Sequence, residues 1–117
     1  MRPTLELSPL IGKAGIKLVG EVDLATAPQL SEALANIWTE SEVLLELSDL
    51  TFMDSSGVSA ILAFAKSRNG GGPLVIVNPP AEIERLFELT CLEQHPKVEV
   101  RHTRSRADAS EPELLAS

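Results

Sequence analysis

The sequence predicts a single α/β domain: a mixed, mostly parallel sheet of about five strands with helices mainly on one face. Three observations point there. Short apolar strand patterns alternate with longer segments whose apolar residues recur every three or four positions. The first two strand patterns are separated only by the turn Gly12-Lys13-Ala14-Gly15, which fits an antiparallel hairpin. Glu6, Lys17, Glu46 and Glu99 alternate with apolar neighbours, so one face of the sheet is wetter than a fully covered parallel sheet allows.

Thr4-Leu5-Glu6-Leu7 is the first strand, and Ile16-Lys17-Leu18-Val19 is the second, followed by Gly20-Glu21-Val22-Asp23. Thr26-Ala27-Pro28-Gln29 fits a capping box, with Pro where a helix lacks an N–H partner anyway. Leu30, Ala33, Leu34 and Ile37 give the first helix an apolar stripe running to about Trp38. Val43-Leu44-Leu45-Glu46-Leu47 is the third strand. The chain is organised around the stretch from Leu47 to Val58, which reads as a strand end, a short turn and a helix start at Asp54-Ser55-Ser56. Val58, Ile61, Leu62 and Ala65 form the stripe of the second helix, closed by Asn69-Gly70-Gly71-Gly72-Pro73. Leu74-Val75-Ile76-Val77 is a fourth strand, apolar throughout. Asn78-Pro79-Pro80 opens a third helix lined by Ile83, Leu86, Phe87 and Thr90. Val98-Glu99-Val100-Arg101 is the fifth strand. Residues 1–103 form the predicted domain. Residues 104–117 are a tail of small and charged residues, in which Leu114-Leu115 either dock as a last helical turn or fray.

The 117 residues suffice for one core, and with three Phe and one Trp that core is aliphatic. A net charge of −7 argues against nucleic acid and against an anionic membrane surface. Cys91 is the only cysteine, so no internal disulfide forms, and no Cys/His cluster suggests a metal or cofactor. The first residues lack the apolar run of a signal peptide, and no stretch approaches the ~20 apolar residues of a membrane span. A cytoplasmic, soluble protein is expected.

Three catalytic or nucleotide-binding readings fit poorly. Asn69-Gly70-Gly71-Gly72 follows a helix and precedes a strand, the reverse of the order that aims backbone amides at phosphate. Ser55 lies on a strand-to-helix turn, but a nucleophile elbow needs Gly where Met53 stands, and the candidate bases His95 and His102 flank the fifth strand with no obvious orienting acid. Asp23 and Asp54 both follow strands, as in a phospho-acceptor receiver domain, yet Asn78-Pro79 and Arg101-His102 occupy the places of the required hydroxyl and lysine. A different chemistry suits Ser55. Asp and Ser cap helix starts through their side-chain oxygens. A serine there also presents its hydroxyl where the helix dipole and free N–H groups receive an anion, which makes it a phosphate-bearing position.

Several of these residues together resemble a known family. Gly20-Glu21-Val22-Asp23, Thr26-Ala27 and Leu50-Thr51-Phe52-Met53-Asp54-Ser55-Ser56-Gly57-Val58 are similar to the STAS domain, in particular to stand-alone anti-sigma factor antagonists of the SpoIIAA type. Leu86-Phe87-Glu88-Leu89-Thr90 with Leu92 resembles the end of the family's third helix, and the likeness spans about residues 4–102. The resemblance implies a STAS-like fold and a non-catalytic binding switch. An anti-sigma factor serine kinase binds the unphosphorylated antagonist and frees a sigma factor. Phosphorylation of the serine after the motif Asp, here Ser55, ends binding, and a serine phosphatase restores it. By position, Asp23, Thr26, Asp54, Ser56, Gly57 and Val58 belong to the partner-binding region. The family's other role implies an alternative: a subunit of an inner-membrane lipid transport complex that docks on an ATPase without phosphorylation. Cys91 departs from the family, which has Gly there, as a left-handed helix end prefers.

Overall fold

The computed structural model describes residues 4–103, so the predicted tail lies outside the described residues. In chain order the elements are β1 (Leu5–Pro9), β2 (Gly15–Val22), α1 (Ala27–Ala35), β3 (Val43–Met53), α2 (Ser55–Lys66), β4 (Leu74–Val77), α3 (Ala81–Leu89), a 3-10 turn (Leu92–Gln94) and β5 (Val98–Arg101). The five strands lie in the sheet in sequence order. β1 is antiparallel to β2, and every later pairing is parallel.

That order explains the layering. Crossovers of one hand that always step the same way across a sheet leave their helices on the same face. Leu30 and Leu34 of α1, Ile61 of α2 and Phe87 of α3 accordingly share one core with Leu18, Leu45, Leu47, Leu74 and Ile76. The opposite face carries a smaller cluster, Leu44, Val75 and Val77 with Leu10 against it. Elsewhere on the sheet, Lys17 pairs with Asp49 at 2.7 Å and Arg101 with Glu99 at 2.7 Å. The Asp49 hydrogen bond raises the Lys17 amine above its ordinary value.

Four local features differ from the sequence reading. β3 does not end at Leu47 but runs on to Met53. Of Ser48 to Thr51, expected as a turn, Asp49 and Leu50 pair with β2, and Ser48 and Thr51 fall at the two register shifts. Leu50 and Met53 are buried, and the Thr51 hydroxyl donates to the Gly20 carbonyl at 2.9 Å. A run of polar residues hid this half of the strand. α1 stops at Ala35, so Trp38 stands in the following loop.

The predicted capping box does not form. The Thr26 hydroxyl donates to the Glu21 carbonyl at 3.0 Å and accepts from the Asp23 N–H at 2.9 Å. Gln29 reaches across to the Leu5 carbonyl at 2.9 Å and ties α1 to the edge strand. Backbone groups of β2, Asp23 and β1 replace the partners of the box. Lastly, Cys91 occupies the left-handed region (φ 60°, ψ 24°) between α3 and the 3-10 turn, which the sequence reading did not include.

Candidate functional site

β2 and β3 are parallel neighbours, so the loops that follow them leave the same end of the sheet. Val22 lies opposite Met53 in register, and the Asp54 N–H donates to the Val22 carbonyl at 3.1 Å. Asp23 and Asp54, each one residue further on, therefore start adjacent loops.

Asp23 organises the first loop. Its Oδ1 accepts from the N–H groups of Ala25 at 2.9 Å and Thr26 at 3.0 Å. Thr26, only 7% exposed, closes the loop from beneath. Between them Leu24 projects outward with 80% of its surface exposed.

Asp54 organises the second loop. Its backbone is extended, and its carboxylate accepts from the Ser56 N–H at 2.9 Å and also from the Ser56 hydroxyl. Its carbonyl accepts from the N–H of Gly57 at 3.0 Å and more loosely from Val58 at 3.4 Å. Ser55 is the first residue of α2 and is exposed. Among the described residues its hydroxyl has no hydrogen-bond partner, in contrast to that of Ser56. Gly57 is buried, and a Cβ there would lie 2.6 Å from Met53 Cγ and 2.9 Å from Val22 Cγ1. Only glycine lets the start of α2 sit directly on the ends of both strands. Val58 is buried in the core.

The structure thus brings all seven predicted site residues to one end of the sheet but gives them different surroundings. Asp23, Asp54, Ser55 and Ser56 reach solvent, whereas Thr26, Gly57 and Val58 lie beneath them. The expected free N–H groups at the start of α2 are largely engaged by Asp54 itself. A phosphate on Ser55 would be a second anion beside that carboxylate, held at the favourable end of the helix dipole. Two exposed apolar residues nearby, Leu24 in the first loop and Phe52 near the end of β3, were not anticipated. A large apolar side chain inside a capped loop was the available signal for Leu24.

A second ionisable group lies at α3. Carboxylate oxygens of Glu84, Glu88 and Glu93 fall within 4.8 Å of one another, the set among the described residues close enough to share a cation. Burial, then Glu84 and Glu88, push the Glu93 carboxyl above the ordinary value, while His102 opposes the shift. Glu93 Oε2 is shielded and has no hydrogen-bond partner among the described residues. Nε2 of His102 sits 3.1 Å from Glu84, and Nδ1 of His95 accepts from the Lys97 N–H at 3.0 Å.

The site is an exposed serine on a capped helix start, at the carboxyl end of a mixed sheet whose helices lie on one face of an α/β domain. Residues 6–107 match the STAS domain, and the chain belongs to that family. It is 34% identical over 80 residues to the anti-sigma-B factor antagonist of Listeria monocytogenes, covering 66% of this chain and 70% of that one. With the Staphylococcus aureus protein of the same name it shares 31% over 80 residues, 66% and 74% of the two chains. Among solved structures, unphosphorylated SpoIIAA, an anti-sigma factor antagonist, superposes with a TM-score of 0.61 at 19% identity over 95% of this chain and 96% of that one. An anti-sigma factor antagonist from Mycobacterium paratuberculosis superposes with a TM-score of 0.69 at 21% identity over 95% and 93%. Both superpositions bear on the fold.

Proposed function

We propose that this chain is an anti-sigma factor antagonist working as a phosphorylation-controlled binding module rather than as an enzyme. In this reading the unphosphorylated form binds an anti-sigma factor serine kinase in the cytoplasm, and a sigma factor is released. Phosphorylation of Ser55 ends binding, and a serine phosphatase resets it. The observation that carries the reading is the contrast at the start of α2. The Ser56 hydroxyl is held by Asp54, while the neighbouring Ser55 hydroxyl is exposed and unengaged. The names of the curated relatives, anti-sigma-B factor antagonists, support an anti-sigma factor as the partner.

The switch needs no refolding. Phosphate adds about −1.5 to −2 charge at pH 7. It does so next to Asp54, on a chain whose net charge is already −7. A partner surface fitted to a neutral hydroxyl must then desolvate or repel a dianion. A loss of ~2.7 kcal/mol weakens binding about a hundredfold. Asp23, Asp54 and Ser56 contribute polar contacts around Ser55, and Leu24 contributes apolar area. Thr26, Gly57 and Val58 act by holding the two loops in place. No helix among the described residues is long and apolar enough to cross a membrane, and nothing in this reading requires membrane contact.

The test is incubation of the purified chain with its kinase and Mg-ATP, followed by peptide mass mapping. Phosphate is expected on Ser55 in wild type and in Ser56→Ala, and absent in Ser55→Ala. Phosphate on Ser56, or on neither serine, contradicts the assignment.

A further inference from the structure

The outer surfaces of α1 and α2 form a groove that begins at Leu24 and Ser56, beside the switch, and continues along both helices beyond the surface assigned above. Near Ser55 it has a volume of about 670 Å³, with Leu24, Ser56 and Ala63 among its walls. Towards the far end of α2 it meets a cavity of about 510 Å³, which shares Ser31, Ala60 and Ala63 with it. The floor is made of small side chains from both helices. Each end carries an exposed apolar residue: Leu24 beside the Ser55 loop and Trp38, 93% exposed, at the other end. A tryptophan so exposed contributes little to the stability of the isolated chain, whereas tryptophan is enriched at binding hot spots.

The charges on the groove indicate its occupant. Glu32 and Glu40 stand exposed on its rim. The cation in the wall, Arg68, is only 8% exposed. It donates to the carbonyls of Gly72 at 2.7 Å and Thr39 at 3.4 Å and to that of Ser41. Its charge is therefore turned onto the backbone, and the groove offers solvent an apolar centre with an acidic edge. The complementary shape and charge is an amphipathic helix whose apolar stripe is flanked by Lys or Arg.

We infer that the α1–α2 groove is a second docking surface, which receives such a basic amphipathic helix of the anti-sigma factor kinase, with Trp38 as its anchor. The inference rests on the proposed function and extends it. The α2 helix has 12 residues and is therefore roughly 18 Å long, and Trp38 lines the cavity at the end away from Ser55, together with Ser67 and Arg68. At that separation the contacts contribute independently, and phosphorylation acts on one end only.

The test measures affinity of the purified serine kinase of the same organism for wild type, Trp38→Ala, Ala63→Glu, Ser55→Ala and Trp38→Ala/Ser55→Ala. Ala63 is an exposed groove residue, so Ala63→Glu blocks the groove and repels a basic helix without opening the core. Trp38→Ala should weaken binding by about tenfold or more, and by the same factor in the wild-type and Ser55→Ala backgrounds. Ala63→Glu should weaken it as well, and raised salt should weaken wild type more than a Glu32→Gln/Glu40→Gln variant. Unchanged affinity in both Trp38→Ala and Ala63→Glu, with wild type binding normally, overturns the inference and leaves the proposed function standing. Sedimentation showing that Trp38→Ala abolishes self-association of the chain assigns the groove to a second copy and likewise overturns it. A wild-type chain that does not bind the kinase at all removes the proposed function, and this inference with it.

Discussion

The Asp54 carboxylate receives two hydrogen bonds from Ser56, one from its backbone N–H at 2.9 Å and one from its hydroxyl. One carboxylate thus caps α2 and ties down the second serine of the motif, while the first serine stays free. The same residue that starts the helix selects which hydroxyl is presented. Removing it has two separable consequences. Asp54→Ala should lower unfolding free energy by about 1 kcal/mol, the usual cost of a lost N-cap. It should also release the Ser56 hydroxyl, so that kinase treatment labels both serines. Urea unfolding reads the first effect and mass mapping the second.

Gly57 should tolerate no side chain easily. A Cβ there meets Met53 Cγ at 2.6 Å, Met53 Sδ at 2.9 Å and Val22 Cγ1 at 2.9 Å. Met53 is flexible, but Val22 is β-branched and fully buried and cannot turn away, so Gly57→Ala should cost about 2 kcal/mol and Gly57→Val about 3 kcal/mol or more. Chemical denaturation of the pair gives the ranking directly. Equal stability of Gly57→Val and wild type would show that α2 does not press on the strand ends.

Cys91 sits at φ 60°, a conformation that residues with a Cβ adopt at a cost. It is exposed, so replacing it removes little packing. Cys91→Gly should therefore raise stability by about 0.5–1 kcal/mol, with strain relief exceeding the extra freedom glycine has in the unfolded chain. A higher midpoint in thermal unfolding under reducing conditions is the expected observation; a lower one would mean that the Cys91 side chain contributes packing that outweighs the strain.

Glu93 gives a pH-dependent prediction. Its carboxyl is raised in the folded state, first by burial and then by Glu84 and Glu88. The folded form thus favours the proton, and the stability gained from protonation is lost as pH rises through the folded value. At neutral pH the charged Glu93 opposes folding. Glu93→Gln should therefore raise the melting temperature at pH 7, with the advantage shrinking as pH falls through the carboxylate range. An advantage that grows on acidification would reverse the assigned sign.

Much of the fold was legible because the strand and helix periods differ. Leu74 to Val77 and Val98 to Arg101 match β4 and β5 residue for residue, and the buried Val58, Ile61 and Ala65 follow the predicted stripe of α2. The charged residues set at alternate strand positions correctly indicated a face without helices. The features that escaped are set by bonds to neighbouring strands. Asp49 and Leu50 pair with β2, carrying the polar Ser48 and Thr51 along in the strand at the register shifts. Thr26 and Gln29 bond to the backbones of β2 and β1 instead of closing a local box. At the site, the motif marked Asp54 and Ser55, since capping is a local interaction. The exposure of Trp38 could not be read, because it follows from α1 stopping at Ala35 instead of running on to Trp38.

The most direct measurement is the affinity of the anti-sigma factor kinase for four forms of the chain: unmodified, Ser55-phosphorylated, Ser55→Ala and Ser55→Asp. Circular dichroism should show the same fold in all four. The unmodified chain and Ser55→Ala should bind alike, and the phosphorylated form should bind about a hundredfold more weakly, with Ser55→Asp also impaired. Equal affinity of the unmodified and phosphorylated forms, with the fold intact, would contradict the claim that Ser55 controls binding.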